Sequence, residues 1–207
     1  MVKIVLASNS PRRKEILKLG NIDFTTAKSN YTEPAPEIYQ ESIIKKNSLN
    51  KALNIAKGID YPAIVIGADT MVILEEGNNS VCLLKPESKT QAFLMLEKLS
   101  GRTHKVVTSI SLVECLGNFC TGKCLTETEE TYVTFRELSD SEIKEYIEKF
   151  NPLDKAGSYG IQNFITADEA ANPPESSFIK EIKGDYYNVM GISIDKLKDM
   201  LNRFKYC

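Results

Sequence analysis

Residues 63–74 read AIVIGADTMVIL. Apolar side chains occupy both alternating sets of positions, so a strand formed here must be covered on both faces, as in an α/β sheet. Asp69 sits in the middle of that run. An isolated carboxylate buried there costs several kcal/mol unless it meets a metal, a cation or several donors, or lies where the strand leaves the core at a pocket. It reads either as a satisfied core aspartate or as part of a site.

Strand and helix patterns alternate around this run. Val2 to Ala7 is a short apolar stretch that fits a buried strand. Ser10 is placed to cap a helix with its side chain, Pro11 suits the first helical position, and Gly20 stops the helix after Ile16, Leu17 and Leu19. Prolines make 30–36 a loop, and a long helix is expected from Ile38 to Lys57, closed by Gly58. Ile44 and Ile55 share one face of it, and Lys51 projects at the edge of that buried stripe. After a turn at 75–80, LLKPES brings Lys85 up to a helix carrying Ala92, Leu96 and Leu99, closed by Ser100-Gly101. Three β segments are expected at 105–114, 120–127 and 130–136, with a turn at Gly117-Asn118. Ser139 and Glu142 form a capping box for a helix whose face is Ile143, Tyr146, Ile147 and Phe150. Residues 151–162 are polar and punctuated by glycine, 166–177 read as a flexible surface loop, and a last helix spans Ile194 to Phe204. With no internal repeat and no linker, 1–207 is read as one α/β unit with two lobes around a cleft.

Arg12 and Arg13 fall in the first turn of the helix after Pro11. The peptide dipoles make that end positive, and an exposed cation there is disfavoured by about 0.3–1 kcal/mol. An anion completes the arrangement: two arginines, the first-turn N–H groups and the hydroxyls of Ser8 and Ser10 form a phosphate cradle. The plainer reading is two solvent-facing arginines at a frayed helix end.

The net charge of −2 provides no basic field for nucleic acid or an anionic membrane. No apolar run reaches membrane-spanning length, and the N-terminal run is broken too soon for a signal peptide, so a cytoplasmic protein is expected. The five cysteines include no C-x-x-C pair and the only histidine is His104, so Cys115, Cys120 and Cys124 are read as reduced thiols rather than a zinc site. His104 begins a strand after a helix stop and is read as structural, and Tyr186 and Tyr187 as core residues.

Arginines and a lysine (Arg12, Arg13, Lys85) that neutralise a polyphosphate, with two carboxylates (Glu33, Asp69) that hold a divalent cation and take a proton from water, are what phosphoanhydride hydrolysis needs. Each residue alone also has a bland reading, Glu33 as a surface acid and Lys85 as an exposed lysine. The strings LASNSPRR, GADT, LLKP, LEKLSGRTH, LDKAGSYGIQ and GDYYNVMGI, in that order from Leu6 to Leu197, resemble the Maf family of nucleoside triphosphate pyrophosphatases.

The resemblance implies an α/β fold of Maf/ITPase-like type, with a central mixed twisted sheet flanked by helices and two lobes around a cleft. It also implies a divalent-metal-dependent (Mg or Mn) enzyme, a homodimer in many members, that cuts a nucleoside triphosphate to monophosphate and pyrophosphate. By matching motif, Asp69 is the proton acceptor for water attacking the α-phosphorus and shares the metal with Glu33. Lys51 joins these two in the catalytic group, and with Ser8, Arg13 and Lys85 it holds the triphosphate. Arg12, Thr70 and Gln162 match positions tied to substrate choice and resemble the branch acting on dTTP and UTP rather than on 7-methyl-GTP. Gln162 carries a donor and an acceptor suited to the edge of uracil or thymine, and such a site rejects a wrong base because its own groups are left unpaired. The chain departs from many relatives at Phe150-Asn151-Pro152 and at Asn163-Phe164-Ile165. The alternative is a nucleotide-binding regulator of cell division without turnover, which has no need of a buried carboxylate at position 69.

Overall fold

The computed structural model describes residues 2–117 and 120–206. Among them a seven-stranded mixed sheet forms the centre, with strand order β2-β1-β3-β5-β6-β7 and β4 paired to β3. The strands are β1 (Lys3–Leu6), β2 (Thr25–Thr26), β3 (Pro62–Glu76), β4 (Asn79–Leu83), β5 (Thr103–Leu116), β6 (Cys120–Phe135) and β7 (Ile179–Lys183). β1 runs parallel to β2 and β3, and the other pairings are antiparallel. The helices are α1 (Pro11–Leu19), α2 (Glu41–Ala56), α3 (Lys89–Leu99), α4 (Asp140–Phe150), α5 (Tyr186–Met190) and α6 (Ile194–Tyr206).

β3 is covered on both faces, as its residues require. Ile64, Ile66, Ala68, Val72 and Leu74 join the large core with Ile16, Leu96, Ile143 and Leu197 from α1, α3, α4 and α6. The alternate residues Ala63 and Val65 pack with Ala52 and Ala56 of α2, and Met71 and Ile73 with Ile44 of the same helix. Gly67 lets α2 come this close: a Cβ there would lie 2.0 Å from the carbonyl oxygen of Ser48. The buried hydroxyl of Ser48 lies 2.8 Å from those of both Ser109 and Ser111, so the contact leaves no orphaned polar atom on that side chain.

Several boundaries differ from the sequence expectation. α2 starts at Glu41 rather than Ile38, because residues 37–39 spend their backbone groups on the β4 edge: Tyr39 N–H donates to Ser80 and Cys82 N–H to Glu37. Ser10 precedes α1 without a side-chain cap bond, and its own N–H donates to Ser8 Oγ at 3.2 Å. The two β segments expected at 120–127 and 130–136 are one strand, β6, paired with β5 from Cys124 to Thr134 and again at Cys120 after a register shift. Its polar stretch stays strand, with Glu127 to Glu130 paired to Ile110 to Val107 of β5, and Lys196 and Arg203 of α6 supply ion-pair partners for Glu127 and Glu129. The expected turn at Gly117-Asn118 falls partly outside the described residues. The 166–177 segment carries a short 3-10 turn, Asp168–Ala171, held where Thr166 donates to Glu169. The Ser139/Glu142 capping box is present with both its bonds. No helix among the described residues is long and apolar enough to cross a membrane.

Candidate active site

β1 leaves β3 at Ile66 and β4 joins it at Val72, while β5 runs alongside from Pro62 to Ile73. Residues 67–71 therefore have a strand neighbour on one side only. A cleft of about 830 Å³ opens there, lined by Ala7 to Arg13 as the chain turns from β1 into α1, by Asp69 and Thr70, and by the 154–162 segment. Clefts outside the carboxyl end of a parallel strand, where neighbouring chains diverge, are the usual ligand sites of α/β sheets.

Asp69 projects toward α2 and is 6 % exposed. Its Oδ1 accepts from Lys51 Nζ at 2.9 Å and its Oδ2 from Asn47 Nδ2 at 2.9 Å. Burial raises the carboxyl pKa, but the charge and hydrogen bond of Lys51, the Asn47 hydrogen bond and the charge of Arg13 outweigh it and hold Asp69 below the usual carboxylate range. Asp69 is thus ionised at neutral pH. The Lys51 ammonium also meets Glu33 Oε2 at 2.8 Å and the carbonyl of Ala68 at 3.1 Å, so one cation joins both carboxylates.

Arg13 reaches the opening from the other face. Its Nε donates to Gly191 O at 3.2 Å and its Nη2 to Thr70 Oγ1 at 3.1 Å. Thr70 is in turn 3.0 Å from Thr108 Oγ1, which donates to Asn188 O at 2.9 Å. Burial lowers the Arg13 pKa, and Asp69 and Glu33 oppose that shift. Arg12, read as an anion ligand, lines the cleft and pairs with Asp154 at 3.1 Å, and the same carboxylate accepts from Lys155 Nζ at 2.5 Å.

Three 3-10 turns, Pro152–Asp154, Ala156–Ser158 and Ile161–Asn163, carry Gln162 to the cleft. Gly157 adopts φ +67° against Val72, and a Cβ there would come within 2.9 Å of that side chain. The Tyr146 hydroxyl accepts from Gly160 N–H at 3.1 Å and donates to Asn163 Oδ1 at 3.1 Å. Tyr159 lines the cleft, and its hydroxyl lies 2.7 Å from Nε2 of the buried His104. His104 is therefore a support behind the wall, with burial pushing its pKa down to about 3.

Ser8, Arg12, Arg13, Glu33, Lys51, Asp69, Thr70, Lys85 and Gln162, all named from the sequence, line this one cleft. Lys85 is exposed, placed by the buried Pro86 that follows it. Asn47, Lys28, Lys155 and Asp154 were not foreseen. Asn47 had a signal, since it stands four residues before Lys51 and shares its helix face. Lys28 had none. Tyr186 is a core residue whose hydroxyl donates to Ile165 O at 2.9 Å, whereas Tyr187 is half-buried. Cys115 is buried with its thiol 3.6 Å from Ala56 O, and the Cys120 side chain and Cys207 lie outside the described residues.

Among the described residues no group of three or more His, Cys, Asp or Glu side chains is placed to hold a metal ion. Glu33 and Asp69 nevertheless converge within 2.9 Å of one ammonium. A carboxylate pair beside a cationic cleft fits magnesium or manganese, which take one or two carboxylates and complete their shell with waters and substrate phosphates.

The dTTP/UTP pyrophosphatase of Thermoanaerobacter sp. (strain X514) is 40 % identical over 202 residues, 98 % of this chain and 96 % of that one. The dTTP/UTP pyrophosphatase of Clostridium perfringens (strain SM101 / Type A) is 40 % identical over 205 residues, 98 % and 97 % of the two chains. A HAM1 protein from Coxiella burnetii shares the fold, with TM-score 0.50 at 14 % identity over 98 % of this chain and 100 % of that one. The profile of Maf-like proteins matches residues 3–204, so the chain belongs to the Maf family.

Proposed function

We propose that the protein hydrolyses nucleoside triphosphates, dTTP and UTP among them, to the monophosphate and pyrophosphate. The observation that carries this reading is Asp69, ionised and buried between Lys51 and Asn47 at the wall of a cleft lined by Arg12, Arg13, Lys28, Lys85 and Lys155. Two relatives at 40 % identity bearing the name dTTP/UTP pyrophosphatase support it.

In this reading the triphosphate lies along the cationic side of the cleft, with Arg13, Lys51, Lys85 and Ser8 as its ligands. Asp69 accepts the proton as a water oxygen bonds to the α-phosphorus and the bond from that phosphorus to the bridging oxygen breaks, releasing pyrophosphate. Glu33 and Asp69 would hold a divalent cation, which would supply charge neutralisation at the phosphates. Lys51 keeps the two carboxylates together and faces the incoming phosphates with positive charge. Thr70 acts through Arg13, which it orients, and Gln162 pairs with the edge of a uracil or thymine ring. Arg12 ties the start of α1 to the loop bearing Gln162 through Asp154.

The test is pyrophosphate release with Mg or Mn across dTTP, UTP, CTP, GTP and 7-methyl-GTP, beside Asp69→Asn. Turnover of pyrimidine triphosphates, reduced about a hundredfold or more in the variant, is the expected result. Tight nucleotide binding without any pyrophosphate release would refute hydrolysis and leave a nucleotide-binding regulator.

A further inference from the structure

Asn47 stands one turn before Lys51 on α2 and is 1 % exposed. An amide side chain offers two N–H donors and one acceptor oxygen in a fixed plane. Nδ2 donates to Asp69 Oδ2 at 2.9 Å and to the carbonyl of Pro34 at 3.0 Å, while Oδ1 accepts from the Tyr31 hydroxyl at 3.4 Å. The two donors of one group thus join the two chain segments that carry the carboxylates: Asp69 on β3, and Pro34, next to Glu33.

Residues 29–36 contain no helix or strand, and Glu33 to Ala35 are exposed. What holds the segment comes largely from α2. Asn54, seven residues after Asn47 and on the same face, accepts from Ser29 Oγ and Asn30 N–H at 3.2 and 3.0 Å. Lys51, between them, grips Glu33 by charge. An ammonium is a rotating point charge, whereas the amide is directional. It sets the tilt of the Asp69 carboxylate and the height of the loop together.

We propose that Asn47 is a positioning residue that fixes Glu33 and Asp69 relative to one another for hydrolysis, an inference that rests on the function proposed above. Leucine at this position keeps the volume and removes all three hydrogen bonds. The phosphate ligands Arg13 and Lys85 are untouched by that change, so substrate binding is retained while chemistry suffers. A purely structural asparagine predicts no such split.

The experiment measures kcat and KM for UTP in Asn47→Leu, with hydrogen exchange of the backbone amides of 31–37 in the same protein. Expected are a fall in kcat on the order of ten- to a hundredfold, as for a small misplacement of a reacting group, a KM within about threefold of wild type, and faster exchange confined to the 31–37 loop. Unchanged kcat, a loss lying wholly in KM, or unchanged exchange in the loop overturns the proposal. Should the leucine variant not fold, Asn47→Ser, which lacks the reach to bridge both partners, is read by the same criteria. If the wild-type protein releases no pyrophosphate from any nucleotide, the proposed function fails, and a loop whose exchange does not respond to Asn47→Leu then overturns the positioning role as well.

Discussion

The ammonium of Lys51 lies 2.9 Å from Oδ1 of Asp69, and both side chains are less than a tenth exposed. Removing one member of a buried pair leaves the other charged and unpaired, at a cost of about 3–5 kcal/mol. Lys51→Met is expected to lower stability by that order, and adding Asp69→Asn to recover part of it. Denaturant unfolding of the two single variants and the double variant measures this coupling, and strict additivity would refute it. Because folding depresses the Asp69 pKa, this stabilisation is in place above the ordinary carboxylate range and is lost as pH falls through the lower folded value. Acid unfolding of Asp69→Asn should lack that component.

Gly67 sets the distance between α2 and β3. A Cβ would meet the Ser48 carbonyl oxygen at 2.0 Å, and an ordinary C···O contact requires the helix to withdraw by about 1 Å or more. Gly67→Ala should therefore destabilise by about 1–3 kcal/mol through overpacking. It should also carry Asn47 and Lys51 away from Asp69 and reduce turnover by about a hundredfold. Wild-type kcat in a folded Gly67→Ala protein would show that the close approach is not needed.

His104 is kept neutral by burial, its pKa pushed down to about 3. Below the ordinary histidine value of about 6.5 the unfolded chain binds a proton that the folded chain refuses, so stability falls as pH drops from there toward the folded value. His104→Gln removes the titrating group and can still face the Tyr159 hydroxyl. Its urea midpoint should decline less than that of wild type between about pH 6.5 and 4.5. Parallel declines in the two proteins would rule out this source.

Tyr146 governs the loop that carries Gln162, since its hydroxyl meets both Gly160 N–H and Asn163 Oδ1. Tyr146→Phe keeps the ring, which stacks on Phe164 with centroids 4.8 Å apart. The variant should stay folded, losing about 1–3 kcal/mol for an unpaired Gly160 N–H. Its preference for UTP over CTP should narrow, read as a ratio of kcat/KM values, because Gln162 is no longer held at one height. An unaltered ratio would remove Tyr146 from base selection.

The local chemistry of residues was legible in the chain alone. A run apolar on both of its alternating faces had to be a strand covered on both sides, Ser139 and Glu142 had to cap a helix, and a lone Asp69 in such a run had to find donors. The ordered motifs named nine residues that line the cleft, Ser8, Arg12, Arg13, Glu33, Lys51, Asp69, Thr70, Lys85 and Gln162. Other features were decided only by tertiary structure. The helical pattern begins at Ile38, yet the backbone groups of Glu37 and Tyr39 go to β4, and a long-range strand pairing outweighs a weak local propensity. The polar stretch of β6 looks like a break, yet it stays paired with β5 while α6 brings Lys196 and Arg203 against its acids. The position of Arg12 in α1 points to an anion, and only the fold brings Asp154, 142 residues away in sequence, against its guanidinium. Periodicity and capping act over a few residues and are written into the sequence, whereas the partner of a charge and the register of an edge depend on which distant segment arrives there.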